Sequence, residues 1–271
     1  MEETEVVKEG GIGSALKGMF SFFTMLPINI EMKEMKAMDS NFWLVPVIGL
    51  FYGILSLAVY SIIYELIGSP LISAITALFS MHVCNRFLHL DGMIDIGDGL
   101  TVAGQREDHL RALKDTRIGA GGMATGLFVV LITVACYSYS PYVVLFLIPV
   151  AEIMARNAQV SAAAFGIPGQ GMAGNSVRLT TKSDLVKSSA LTVAFSALSV
   201  YVVSLIWDIH VYDGMVIAAL VAFLVSILWG IIMANIAEKN FGMVNGDVLG
   251  ATNESSRALI LIISLIVVMS V

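Results

Sequence analysis

The chain has 271 residues, 57% of them hydrophobic and 13% charged, with a formal net charge of −6 and a mean hydropathy of +0.85. A soluble domain carries about 25% charged residues, so a soluble globular protein is excluded; the long continuous apolar runs also exclude a barrel, whose strands alternate over about 10 residues. With no basic face and no recognisable module, a nucleic-acid partner is not expected.

Residues 1–11, MEETEVVKEGG, form an acidic, polar tail. No basic region followed by an apolar core stands there, so no cleavable signal peptide is expected. Residues 12–26, IGSALKGMFSFFTML, are too short and too interrupted to span a bilayer. Their aromatics, lysine and mixed faces predict an interfacial helix, ended by Pro27. A polar link, EMKEMKAMDS, follows.

Seven apolar segments come next, at 42–66, 70–88, 122–140, 141–164, 185–207, 214–236 and 257–271. Three connections are tight turns, IGSP, SYSP and DIHVYDG, with Gly, Pro or Asp as breakers. The other three, 89–121, 165–184 and 237–256, are long and polar. Alternate connections of a serial bundle lie on one side, so the long loops share a face with the N-terminal region. All 15 Lys and Arg fall in or near that face, if Arg156 sits close to the exit of its segment. The positive-inside rule then makes it cytoplasmic. The last segment, from Arg257 to Val271, is 15 residues, or roughly 22 Å of helix, and barely crosses. The expected architecture is an all-α polytopic bundle of about seven transmembrane segments over 42–271, with an interfacial helix before it, in one integral membrane catalytic domain. Cys84 and Cys136 lie in apolar runs without metal-type spacing and read as inert thiols.

The informative polar residues begin with HLDGMIDIGDGL, residues 89–100. Asp91, Asp95 and Asp98 are spaced four and three, so on a helix they share a face. Three such carboxylates resist joint ionisation. A divalent cation resolves the conflict, and oxygen-only ligands with nearby phosphates point to Mg²⁺. Gly92 and Gly99 leave room for a phosphate. His89 is either a base or a satisfied polar histidine, and His82 is structural. Asn85, six residues before Asp91, is a candidate to line the pocket. In LKDTRIGAGG, Lys114 and Arg117 flank Asp115 ahead of a glycine-rich turn. The cations suit phosphate oxygens, the turn offers backbone N–H groups to anions, and Asp115 suits a second metal site. Arg178 and Lys182 in the second long loop either meet phosphate or follow the positive-inside bias. Glu152 and Arg156, four apart, predict an intrasegment ion pair. Asn245, Asp247, Asn253 and Glu254 stand among small residues in the third long loop, and Asp247 joins the substrate-binding candidates. The pattern suits metal-assisted chemistry on phosphates of a membrane-associated substrate.

Four stretches together resemble the cobalamin synthase (adenosylcobinamide-GDP ribazoletransferase) family. HLDGMIDIGDGL is similar to its H-L-D-G-x-x-D-x-x-D-G signature, and LKDTRIGAGG to its K/R-D-S-R-x-G-x-x-G segment. GMVNGDVLGATNE resembles G-x-T-G-D-x-L-G-A-x-x-E, and FSFFTMLPI resembles F-x-T-R-L-P. The matches fall in family order across 21–254. Met25 replaces the family's usual Arg, Asn245 replaces Thr, and Ser255, Ser256 and Arg257 replace a more acidic run. The resemblance implies an enzyme of the cytoplasmic membrane that requires Mg²⁺. It joins adenosylcobinamide-GDP to α-ribazole or its 5′-phosphate, giving adenosylcobalamin or its 5′-phosphate and GMP. It implies Asp91, Asp95 and Asp98, with Asp115, as catalytic metal ligands, and Lys114, Arg117 and Arg178 as phosphate ligands. Two rivals are weighed. A CDP-alcohol phosphotransferase would continue its D-G-x-x with Ala-Arg, and here MIDIGDGL follows Asp91-Gly92. A cation-coupled transporter would hold its acids near the bilayer midplane, whereas these group with basic loops at one end.

Overall fold

The computed structural model describes residues 10–208 and 211–271. Most of the expected polar tail, residues 1–9, and part of the turn before the sixth segment lie outside them. Among the described residues the chain is helical, with one isolated bridge between Pro168 and Val244.

The expected interfacial helix is α1 (Ile12–Phe23), and α2 (Met32–Ser40) packs against it, its start fixed by a reciprocal cap between Glu31 and Glu34. A 3₁₀ turn at Phe42–Leu44 leads into α3 (Pro46–Ile67), which has proline in its first turn and stops at Gly68, φ +72°. Helix α4 (Pro70–Cys84) is only 15 residues long. Arg86 and Phe87 then take left-handed conformations, φ +56° and +58°, and α5 (Leu88–Thr101) leaves at 93° to α4. After α6 (Arg106–Leu113) come α7 (Ala120–Tyr137), α8 (Pro141–Phe165), α9 (Gly171–Leu179), α10 (Lys182–Trp207), α11 (Asp213–Phe241) and α12 (Gly246–Ser270).

The axis of the bundle is α8, whose apolar stretch is 94% buried. Around it pack α3, α10, α11 and α12. Helix α3 comes close because Gly53 carries no side chain: a Cβ there would lie 2.8 Å from the Pro149 Cα. The outer helices α10 and α11 turn Leu198, Leu205, Leu220, Leu224 and Leu228 outward, as a bilayer requires. Six helical stretches are long and apolar enough to cross a membrane, or seven if the bent α4–α5 pair counts as one span. The protein is a multi-pass helical membrane protein.

Three expectations are corrected. The long connections are largely helical: 89–121 holds α5 and α6, 165–184 holds α9, and 237–256 shrinks to residues 242–245 between α11 and α12. The final helix does not begin at Arg257 but at Gly246, and its 25 residues reach about 37 Å, more than the roughly 30 Å hydrocarbon core. Its polar first turns read as loop because Asn245, Asn253, Glu254 and Arg257 are hydrophilic. In fact the Asn245 side chain accepts from the Val248 N–H at 3.1 Å as a helix cap. Asn253, Glu254 and Arg257 are buried against one another. The expected Glu152–Arg156 pair is also absent. Glu152 Oε1 instead lies 2.7 Å from Arg257 Nε on α12, because a fully buried carboxylate takes the guanidinium that faces it across the helix interface. Arg156 and Arg257 therefore say nothing about membrane orientation.

Candidate active site

The acids stand on α5 and the start of α12. These helices cross tightly because Gly92 faces Asp247 with no side chain between them: a Cβ on Gly92 would lie 2.8 Å from the Asp247 carbonyl oxygen. The sharp bend after α4 turns α5 so that Asp91 is exposed, while Asp95 and Asp98 are half-buried. Asp95 has Asp91, Asp247 and Asp98 as its electrostatic neighbours. The structure thus joins the expected triad to Asp247, 149 residues beyond Asp98 in the sequence.

The three triad members have different surroundings. Asp98 is spoken for: Oδ2 accepts from the Gly119 N–H and Oδ1 from the Gly122 N–H, both at 2.7 Å. The glycine turn expected to bind a phosphate binds this carboxylate, which caps the positive end of α7. Asp91 is free of such bonds among the described residues, and Asp247 accepts from the Asn245 amide at 2.8 Å.

Among the described residues, no three His, Cys, Asp or Glu side chains converge closely enough to hold a metal ion by themselves. The donor set nevertheless fits a hard cation. It is oxygen-only, and Mg²⁺ takes one or two carboxylates and fills its remaining positions with water and substrate phosphate. Asp91 and Asp95 are the pair left to do so. Asp115, expected as a further ligand, is held by Arg117 instead. Arg117 Nη2 donates to Oδ2 at 2.8 Å, its Nε to Oδ1 at 3.1 Å and its backbone N–H to Oδ1 at 3.0 Å. Those side-chain and backbone hydrogen bonds hold the Asp115 carboxyl down at about 2. Lys114 and Arg178 are exposed, on the ends of α6 and α9. Asn85 is buried at the end of α4, both amide atoms without a partner among the described residues. It does not line the cleft next to the acids.

That cleft, about 110 Å³, opens between α1, α2, α5, α9 and α12. Asp91, Asp247, His89, Gln159 and Ser176 are its polar lining; Phe22, Phe23, Met38, Phe42, Leu88, Met172 and Leu249 are the main apolar part. Sequence reasoning missed Gln159 and Ser176. Gln159 follows Arg156 by three in AEIMARNAQ, residues 151–159, so a shared helical face was visible there. Ser176 had no signal: its hydroxyl donates to Asp39 Oδ1 at 2.5 Å across α9 and α2. Burial pushes the Asp39 carboxyl above its ordinary range, against that hydrogen bond.

Behind the cleft lies a buried charge network. Arg257 binds Glu152, Glu254 Oε2 at 2.5 Å and Asn253 Oδ1 at 3.1 Å. Arg156 Nη1 meets His89 Nε2 and Gln159 Oε1, both at 3.1 Å, and its guanidinium lies over the rings of Phe23 and Tyr52. Two buried carboxylates and two buried guanidiniums make the cluster formally neutral.

Fold and site together define a polytopic membrane protein that gathers carboxylates from two crossing helices beside a cleft. Residues 15–265 match the model of the cobalamin-5-phosphate synthase family, and the chain belongs to that family. Among similar proteins, one from Methanocella arvoryzae is 29% identical, covering 92% of this chain and 94% of its own length. One from Pyrococcus furiosus is 30% identical, covering 92% of this chain and 98% of its own. Both are named adenosylcobinamide-GDP ribazoletransferase. No solved structure matches the chain.

Proposed function

We propose that the protein is a Mg²⁺-dependent adenosylcobinamide-GDP ribazoletransferase of the cell membrane, its active site at the cytoplasmic face. It joins adenosylcobinamide-GDP to α-ribazole or its 5′-phosphate and releases GMP. The observation that carries this reading is the convergence of Asp91, Asp95 and Asp247, from α5 and α12, beside an apolar cleft. In the reaction a ribose hydroxyl forms a new O–P bond at the β-phosphorus, and the bond from that phosphorus to the bridging oxygen of GMP breaks. Asp91 and Asp95 would hold Mg²⁺, which supplies charge stabilisation on the diphosphate when bound. Asp247, in the cleft beside Asp91, takes the hydroxyl proton. Asp98 positions α7 against α5. Arg117 reaches the phosphates with its planar fork; its pair with Asp115 is exposed on the Arg117 side (87%), and such surface pairs yield readily to a stronger anion.

The test is GMP release from proteoliposomes given adenosylcobinamide-GDP with α-ribazole or its phosphate, with and without Mg²⁺. Release that needs both substrates and Mg²⁺ supports the reading. No release, or release indifferent to Mg²⁺, overturns it, and transport of a cation without nucleotide release would favour the transporter reading. Orientation has its own measurement. Cysteines at 106 and 178 should resist an impermeant thiol reagent in intact cells, while one at 212 reacts.

A further inference from the structure

One nitrogen of His89 is committed and the other is not. A guanidinium has donors only, and Arg156 Nη1 lies 3.1 Å from His89 Nε2. Gln159 Nε2 approaches the same atom at 3.4 Å. The Gln159 amide is oriented by its other contacts, for Oε1 accepts from Arg156 at 3.1 Å and Nε2 donates to the Leu249 carbonyl at 2.9 Å. Donors therefore converge on Nε2, which must present its lone pair, and the ring proton sits on Nδ1. That nitrogen is buried and has no partner among the described residues. His89 is 2% exposed and belongs to the wall of the cleft. It is thus a neutral donor with a vacancy, and its basic lone pair is already taken.

The rest of the cleft is aromatic and apolar, with Phe22, Phe23, Phe42, Met38 and Met172 in its walls. A volume of about 110 Å³ excludes a corrin macrocycle and suits a flat, fused two-ring base. Its other side-chain donors are engaged: Ser176 donates to Asp39 and Gln159 to Leu249. Guanine brings two ring-edge acceptors, O6 and N7, to a cleft with one free donor, and its N1–H and N2–H₂ would occupy the Asp91 and Asp247 carboxylates that the proposed reaction uses for metal and proton. A benzimidazole linked to ribose brings one acceptor, its imine nitrogen. We propose that the cleft is the subsite for the benzimidazole base of the ribazole substrate, with His89 Nδ1–H donating to the imine nitrogen. This rests on the function proposed above. The ribose then points to Asp91 and Asp247 at the cleft's acidic side, and the corrinoid stays outside with only its diphosphate reaching the acids.

Binding to the full-length protein in detergent, measured by calorimetry without the second substrate, separates this proposal from the reaction itself. The probes are α-ribazole, the riboside of unsubstituted benzimidazole, and the riboside of indole, in which a CH replaces the imine nitrogen. The parent should bind the benzimidazole riboside about tenfold more tightly than the indole riboside, the worth of one buried hydrogen bond. His89→Leu should bind the two equally. Because that change also strips Arg156 of a partner, a second variant leaves the network intact: Ala173→Leu, in the α9 wall, narrows the cleft. It should raise the KM for α-ribazole at least about tenfold and leave the KM for adenosylcobinamide-GDP unchanged. Equal binding of the two ribosides by the parent, displacement of α-ribazole by GMP alone, or a rise only in the corrinoid KM of Ala173→Leu would each overturn the subsite. Failure of the parent to release GMP would sink the function instead, and the binding results would still be read independently.

Discussion

Two groups of ionisable side chains are built on opposite plans, one between α8 and α12 and one at the α5–α12 crossing. In the buried group, Glu152 and Glu254 face Arg156 and Arg257, every residue at most 1% exposed. In the second group, at the α5–α12 crossing, Asp91, Asp95 and Asp247 stand together with no guanidinium or ammonium among their partners in the described residues. The first arrangement is closed: opposite charges in a low-dielectric interior satisfy each other, and removing one strands the rest. The second is open: like charges stand together, and the function proposed above gives them a cation from outside. Intramembrane charge is a functional candidate by default, yet here the buried charges pair across helices, and only the more exposed acids are candidates for chemistry.

The contrast predicts a sharp division between stability and activity. The largest effect belongs to Arg257. Arg257→Ala leaves Glu152 and Glu254 buried without their cation, which should cost about 3–5 kcal/mol. Thermal unfolding in detergent should show a large loss of stability, or failure to recover folded protein. A variant as stable as the parent would mean that the buried network is not closed as described.

Next come the open acids. Asp91→Asn or Asp95→Asn should cut turnover at least about hundredfold, since metal-type stabilisation contributes several kcal/mol and each ~1.4 kcal/mol is tenfold. Stability should not fall, because neutralising one member relieves repulsion. Mg²⁺ should raise the melting temperature of the parent more than that of the variants. Near-parent turnover with an unchanged Mg²⁺ response would remove the acids from the metal site. Asp98→Asn is the internal control. It keeps one acceptor oxygen for α7 but turns the other atom into a donor facing an N–H, so it should lose stability as well as activity.

The same contrast explains what could be read from the sequence. Spacing of Asp91, Asp95 and Asp98 predicted a shared helical face, and α5 is that helix. Apolar runs predicted most of the spans, and Gly68, Pro70 and Pro141 marked ends between them. What could not be read was pairing across the bundle. Glu152 and Arg156 have ideal spacing for each other, but partners of a buried charge are chosen by which helix faces it. Polarity misled at 246–256 for the same reason, since Asn253 and Glu254, buried against Arg257, look in sequence like loop residues. Periodicity also could not show that Asp98 spends both oxygens on α7, because Gly119 and Gly122 become its partners only through the fold.

A smaller effect is expected at the rim of the open group. Arg117→Lys keeps the charge but loses the planar fork, and Arg117→Ala loses both. The KM for adenosylcobinamide-GDP should rise about tenfold in Arg117→Ala and less in Arg117→Lys, with the KM for α-ribazole unchanged in each. An unaltered corrinoid KM in both variants would take Arg117 out of the phosphate site.

The smallest effect decides to which group Asp115 belongs. As a metal ligand it would be part of the open acids; as the partner of Arg117 it is a small closed pair of its own. Its geometry favours the second role, since both oxygens are bonded to Arg117. Its carboxyl is depressed from 3.8 to about 2, so the sign is that of an acid stabilised when charged. The pair's contribution is fully present above about pH 4 and fades as the pH falls through the folded value. It should therefore be constant across the neutral range, and the pair is exposed enough for its effect on melting to be slight. Asp115→Asn should free Arg117 from one anchor, shift the corrinoid KM by less than about threefold, and leave unchanged the Mg²⁺ concentration that gives half-maximal GMP release. A metal ligand would behave otherwise: losing its charge would raise that Mg²⁺ requirement several-fold while the KM measured at saturating Mg²⁺ stayed put. A Mg²⁺ titration of the parent and Asp115→Asn proteins separates the two roles, and a raised requirement would move Asp115 from the grip of Arg117 into the open acid group.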